Sequence, residues 1–305
     1  MTTSDRRVLI VGHPRRDDMP ELVRVVLDRL AVDGMRGRLL ESEAERLGLT
    51  DHAAVEIADP HAPAADCEVV CVLGGDGTLL LGADLARGSG VPLLGVNLGH
   101  VGFLAEAERE DLAATVDKIA AREFTVEERI AVEVTGLQNG QTIFSDWALN
   151  EVSIEKAARE RMLELTVEID GRPLSTWACD GVVVATPTGS TAYAFSAGGP
   201  VVWPEVEAIL VVPLSAHALF SRPLVIGPES VVAIEIIPHT EGSGVMWSDG
   251  RRATDLPSGA RLEVRLSPEP VRFARLSAAP FTDRLVAKFH LSVHGWRGRG
   301  RSSAQ

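Results

Sequence analysis

Along the first part of the chain, apolar residues fall in short unbroken runs separated by stretches with helical spacing. Arg7 to Val11 reads as a buried strand, and Pro20 to Asp33 places Leu22, Val23, Val26, Leu27 and Leu30 on one helical face. The alternation repeats. Val69 to Leu73 is a buried strand, Thr78 to Arg87 is helical, Val91 to Val96 is another strand, and Asp111 to Arg122 is an amphipathic helix. Strand and helix in alternation predict a doubly wound, Rossmann-like α/β domain. From about Phe124 the period drops to two, as in Ile130-Ala131-Val132-Glu133-Val134, and hairpin dipeptides stand at Asn139-Gly140, Asp170-Gly171 and Asp249-Gly250. A mostly β second domain follows from that change. Thr282 to His290 reads as a short C-terminal helix that packs back on the first domain. The expected organisation is an α/β domain over 1–125 plus about 276–294, a β-rich domain over 126–275, and a tail, 295–305. That tail alternates Arg and Gly before turning to Ser, a composition too poor in apolar residues to bury a core, so it is expected to be disordered.

Length and composition narrow the function. A chain of 305 residues accommodates about two domains, and 45% hydrophobic with 24% charged residues is an ordinary globular balance. The formal net charge of -13 opposes non-specific binding to nucleic acid or to an anionic membrane, so neither is expected as a partner. Small molecules fit better. Cys67, Cys71 and Cys179 lack metal-type spacing, and two lie in or beside apolar strand patterns, which points to a reducing, cytoplasmic setting. The N-terminal apolar run, Val8 to Val11, is broken at once by Gly12, Pro14 and charged residues, unlike a signal peptide. Gly181 to Pro204 carries no formal charge, but Pro187, Gly189, Gly198, Gly199 and Pro200 would break a spanning helix.

Candidate chemistry starts where Val69–Leu73 runs into Gly74-Gly75-Asp76-Gly77-Thr78. Glycines at a strand-to-helix turn let main-chain N–H groups approach a phosphate. A carboxylate among them repels that ligand unless it meets a metal or accepts a proton. The segment is no Walker A loop, because no Lys follows the glycines and the whole chain has only Lys118, Lys156 and Lys288. It also fails the dinucleotide fingerprint, with Leu80 where the third Gly belongs. One alternative is a tight turn with Asp76 capping the next helix. Thr78, however, is available as that cap, and strand ends are where open α/β sheets bind ligands. A carboxylate there can orient an attacking hydroxyl and take its proton, worth roughly 10² to 10⁴ in rate.

Four separated blocks extend this reading: Gly74 to Thr78; Asn97-Leu98-Gly99-His100-Val101-Gly102-Phe103-Leu104; Asn150-Glu151; and Asp180-Gly181 through Thr186-Pro187-Thr188-Gly189-Ser190-Thr191-Ala192-Tyr193. In this order, across nearly the whole chain, they resemble the bacterial NAD kinases. The Gly-Gly-Asp-Gly block alone is shared in versions by phosphofructokinases and diacylglycerol-type lipid kinases, whereas the ordered set is specific.

The resemblance implies transfer of the γ-phosphoryl group of ATP, with Mg²⁺, to the 2′-hydroxyl on the adenosine ribose of NAD, giving NADP. It makes Asp76 the catalytic base. Gly74, Gly75, Gly77, Thr78, Asn97, Phe103 and Thr188 become nucleotide-side residues, and Asn150 with Glu151 the pair that hydrogen-bonds the dinucleotide. Thr191, Ala192, Tyr193 and Ser196 match adenine-side contacts. Asp180 matches a residue that reaches the dinucleotide of a neighbouring subunit, which implies a homo-oligomer, dimer or tetramer. Inorganic polyphosphate is a conceivable second donor. Two departures stand out: Leu81 replaces a basic residue of many relatives, and Trp177 to Cys179 lack the basic character of some.

Other residues compete for attention. His290 and His294 have helical spacing that could hold a metal, without nearby Cys or acidic ligands. His217 reads as a core or loop histidine, and Arg251-Arg252 as either a solvated turn or a phosphate contact. Rival functions are a lipid or sugar-phosphate kinase of the same broad superfamily and a non-catalytic NAD(P) sensor. The Thr188 to Tyr193 block and Asn150-Glu151 oppose the first, and retention of Asp76 opposes the second.

Overall fold

The computed structural model describes residues 6–99, 102–158, 162–238, 243–277 and 280–293; His294 and the tail lie outside them. The chain forms two compact units, Met1–Glu127 with Arg272–Gln305, and Glu128–Val271. Among the described residues no helix is long and apolar enough to cross a membrane.

The first unit is built on a largely parallel sheet whose strands run, across the sheet, Val55–Ile57, Arg36–Leu39, Arg7–Gly12, Val69–Leu73, Leu93–Asn97, Val271–Arg275 and Thr125–Arg129. Its helices are α1 (Met19–Val32), α2 (Glu41–Leu47), α3 (Asp76–Ala86) and α4 (Leu112–Ala121). The expected face of α1 is the buried one: Leu22, Val23, Val26, Leu27 and Leu30 join Met19 in the core. From Arg7–Gly12 the chain builds strands on one side and then crosses to build Val69–Leu73 on the other. The carboxyl ends of these two neighbours therefore form the topological switch point, the ligand crevice of open α/β sheets.

Differences from the sequence pattern have local causes. Arg36–Leu39 is a strand although it reads Arg-Gly-Arg-Leu, because buried Arg38 is matched by Glu56 and by the carbonyl of Ala65. The strand expected from Val91 begins at Leu93, since Pro92 cannot donate to the ladder.

The second unit packs two six-stranded antiparallel sheets face to face. One runs Leu224–Ile226, Ile209–Leu214, Gly181–Ala185, Glu151–Lys156, Gly244–Ser248, Arg252–Leu256; the other runs Arg172–Cys179, Leu163–Ile169, Val232–Ile236, Arg261–Leu266, Val132–Gln138, Gln141–Ala148. Alternation along each strand sends one side chain set into the shared core, for example Val152 and Ile154 against Leu165 and Val167. The three hairpin dipeptides all have positive φ at both residues, as turns matched to strand twist require. The outer face of the first sheet is covered in part by the short α5 (Tyr193–Ser196), through Ala194 against Val183, Ala185, Leu210 and Val212.

The chain then returns to the first unit, where it forms α6 (Phe281–Phe289). This helix packs back as expected, setting Phe281 and Phe289 against Phe103 with ring centroids 6.0 and 5.8 Å apart.

Candidate active site

Val69–Leu73 ends at the switch point, and Gly75, in extended backbone, caps α3 so that Asp76 is its first residue. Thr78 is not the cap: it lies inside the first turn, with its N–H on the Gly75 carbonyl at 2.9 Å. Asp76 does not cap either. Its carboxylate turns away from the helix and accepts the N–H of Phe103 at Oδ2 and of Leu104 at Oδ1, both at 3.1 Å. Gly102 makes this approach possible, because a Cβ there would collide with the Asp76 carboxylate. A half-buried carboxylate is thus oriented by main-chain donors from a second loop, beside the positive end of an 11-residue helix.

The other first-unit candidates brace that loop. Asn97 is buried, donating to Glu108 Oε2 at 2.9 Å and accepting the Gly99 N–H at 3.2 Å. Phe103 is 8% exposed, with its ring packed on α6.

In the second unit, Asn150 and Glu151 stand where Glu151–Lys156 begins, and both are buried. Their main chain is held by Asp249, which sequence reasoning treated only as a hairpin residue. Its Oδ2 accepts the N–H of Leu149 at 2.9 Å, and its Oδ1 accepts those of Asn150 at 2.7 Å and Glu151 at 3.3 Å. On the other side Thr186 donates its hydroxyl to the Leu149 carbonyl, accepts the Gly189 N–H, and gives its own N–H to the Asn150 carbonyl. A Cβ on Gly189 would strike that same Asn150 carbonyl, so only glycine lets the turn Thr188–Thr191 close on the pair. Thr188, Thr191 and Ala192 belong to this turn or follow it directly, so Gly189 ties their segment to the Asn150 carbonyl.

Burial, with Asp249 nearby, pushes the Glu151 carboxyl up to about 8, while the Tyr193 N–H pulls the other way. Burial raises Asp249 too. Asp249, with three N–H donors, is the better placed of the two to keep its charge, while burial and an Oε2 without a partner among the described residues favour the protonated form of Glu151.

Asp180, Tyr193 and Ser196 share a cavity of about 500 Å³ with Glu155, Lys156, Ala197, Pro213, Leu214 and Ser215. Lys156 pairs with Asp180 at 2.6 Å and holds its carboxyl below the usual range. Partial burial, then Glu155, raises the Tyr193 phenol. Glu155 and Lys156 were not expected here. For Glu155 the signal was strand alternation, since Glu151, Ser153 and Glu155 share one face of a strand whose other face is core; Lys156, at the strand's end, falls in the opposite phase.

The competing residues resolve differently. The α6 helix ends at Phe289 and His290 is its left-handed cap, so His290 is off the helical face that the spacing with His294 assumed. His217 is an exposed loop residue. Arg252 pairs with Asp146 at 3.0 Å, lies 5.4 Å from the centroid of the Trp147 ring and donates to the Trp147 carbonyl, so it is a structural brace.

Profiles described as the ATP-NAD kinase N-terminal domain and the ATP-NAD kinase C-terminal domain match residues 8–124 and 149–276. The chain is 56% identical over 304 residues to the NAD kinase of Thermobifida fusca, covering 97% of this chain and 93% of that protein. The chain belongs to the NAD kinase family. It is also 50% identical over 308 residues to the NAD kinase of Mycobacterium tuberculosis, covering 97% of this chain and all of that one. Two crystal structures share the family's fold with it: a yeast NADH kinase complexed with NADH (TM-score 0.87, 21% identity, 96% of this chain and 89% of that one) and an NAD kinase from Archaeoglobus fulgidus in complex with ATP (0.69, 24%, 93% and 98%).

Proposed function

We propose that this NAD kinase family member transfers the γ-phosphoryl group of ATP to the 2′-hydroxyl on the adenosine ribose of NAD, producing NADP, with Asp76 as the base. The observation that carries the role of Asp76 is its carboxylate, held by two main-chain N–H groups at the switch point of the sheet. A secondary alcohol is scarcely ionised at neutral pH, so the attacking oxygen gains from an acceptor fixed beside it. As that oxygen bonds the γ-phosphorus, the bond to the β–γ bridging oxygen breaks. ADP leaves with the electron pair, and the hydroxyl proton passes to Asp76. Phosphoryl transfer asks the protein mainly for alignment and charge stabilisation. The turn Gly74, Gly75, Gly77 and Thr78 is the seat for the phosphates through the positive end of α3, the N–H groups of Gly74 and Thr78 themselves being bonded to the Val96 and Gly75 carbonyls.

The turn offers a single carboxylate, committed to the proton, and main-chain groups, a donor set that suits Mg²⁺ arriving already bound to the triphosphate rather than held by protein ligands. Bound there, the ion would neutralise charge on the phosphate oxygens.

Asn150 and protonated Glu151 take the dinucleotide by hydrogen bonds, and Thr188, Thr191, Ala192, Tyr193 and Ser196 line its adenine side. Asp180 projects into the cavity beside Tyr193, where it would reach a dinucleotide held by a neighbouring subunit of a homo-oligomer. Three buried, unpaired thiols suit a cytoplasmic setting.

Incubation with Mg-ATP and NAD should yield NADP. A panel of NADH, inorganic polyphosphate, lipid and fructose 6-phosphate defines donor and acceptor range. Phosphorylated lipid or sugar without NADP would overturn the assignment, and nucleotide affinity without any transfer would make the protein a sensor.

A further inference from the structure

The C-terminal helix reaches the catalytic centre through one peptide plane. Arg284, on α6, donates from its NH1 to the carbonyl of Phe103 at 2.9 Å. That carbonyl belongs to the same peptide unit as the N–H of Leu104, which holds Asp76 Oδ1. A trans peptide is planar, so a donor fixing its oxygen on one side aims its N–H to the other. Hydrogen bonds in such a chain also polarise and strengthen one another.

Arg284 is itself held. Its NH2 meets Glu106 Oε2 at 2.7 Å, and Glu106, 1% exposed, also takes Arg275 NH1 at 3.0 Å. The other oxygen of Glu106 accepts the N–H groups of Leu276 and Ser277 and the Ser277 hydroxyl, each at 3.1 Å. Arg275 continues to Glu127 at 2.6 Å and to the Leu104 carbonyl at 3.4 Å. A nearly buried ionic cluster of this kind is costly to assemble and contributes little net stability over an apolar core. Its geometry is what it supplies: it fixes a guanidinium against the loop that clamps Asp76.

We propose that Arg284 is a positioning residue for Asp76, acting through the Phe103–Leu104 peptide, with Glu106 as its anchor. The proposal rests on the kinase reading above, and wild-type protein assayed in parallel separates the two. Absence of NADP from the wild type refutes the function; the comparisons below apply to active wild type.

The test is Arg284→Met, which keeps an unbranched apolar stem and removes the donors. Turnover should fall roughly tenfold to a hundredfold, the size expected of a reacting group displaced by up to about 1 Å. The KM values for ATP and NAD should stay within about twofold, because the loss falls on the chemical step. Arg284→Lys, which keeps one charged donor, should lie between wild type and Arg284→Met, and it serves as the informative variant if Arg284→Met does not fold. Because Arg284 acts through Asp76, the same substitution in an Asp76→Asn background should change the residual rate less than about twofold. Unchanged turnover in folded Arg284→Met, or an equal loss in both backgrounds, overturns the proposal.

Discussion

Replacing Glu151 with Gln should make the second unit more stable at high pH and leave it nearly unchanged at low pH. The Glu151 carboxyl sits at about 8 in the fold against 4.5 when free. Between those values the unfolded chain releases this proton and the folded chain keeps it, so stability is lost as pH rises from 4.5 through about 8. At about 1.4 kcal/mol per pH unit the loss has a ceiling of about 5 kcal/mol. Relaxation and water entry at a buried acid reduce it, and about 2–3 kcal/mol is the working figure. Gln has the same shape and no titration, so the variant escapes this loss. Other carboxylates cancel in the difference, save Asp249, whose coupling to Glu151 is a smaller cause than burial. Scanning calorimetry without nucleotide at pH 5, 7 and 9 should show the transition of the second unit matching at pH 5 and separating by about 5–10 °C at pH 9, from about 2–4 °C per kcal/mol. Melting curves that keep a constant offset across the range would refute a protonated Glu151.

The remaining expectations concern the candidate residues of each unit. Asp76→Asn should fold and bind NAD but form NADP at least about a hundredfold more slowly, and near-normal turnover would remove Asp76 from the chemistry. Gly189→Ala forces a Cβ onto the Asn150 carbonyl, with an expected stability loss of about 1–3 kcal/mol by calorimetry and weaker NAD binding by titration. Asp180→Ala removes a partner of Lys156 that is 42% exposed, so stability should change by less than about 1 kcal/mol while NAD use drops. Mixed oligomers of Asp180→Ala and Asp76→Asn should regain activity if the site is shared, and no recovery in demonstrably mixed assemblies counts against sharing.

Periodicity made the architecture legible, because burial imposes it directly: α1 buries the face its spacing announces, and the second unit alternates as its sheets require. Short elements whose charges are matched by distant partners gave no such signal. Arg36–Leu39 looks polar until Glu56, brought alongside by the neighbouring strand, pairs with Arg38. The reactive candidates were legible as blocks of residues, but their supports were not. Asp249 reads as a turn residue because Asp-Gly is a turn signal, and nothing local shows that its carboxylate faces the main chain about a hundred residues earlier. Glu106, Arg275 and Arg284 lie in three separate segments that meet only once the last sheet strand and α6 return to the first unit.

The two units solve the same difficulty in opposite senses. In the first, main-chain N–H groups hold the carboxylate proposed as the base, so Asp76 is oriented without a lysine beside it. In the second, a carboxylate holds main-chain N–H groups, so Asp249 stiffens the segment from which Asn150 and Glu151 project. With so few lysines in the chain, peptide dipoles provide the orienting field in both places. Such groups are already aligned in the fold and do not have to reorganise as charge develops during transfer. Loss of one donor or one acceptor therefore shifts geometry at the site before it shifts global stability. Kinetic constants should respond to these substitutions more sharply than melting temperatures do.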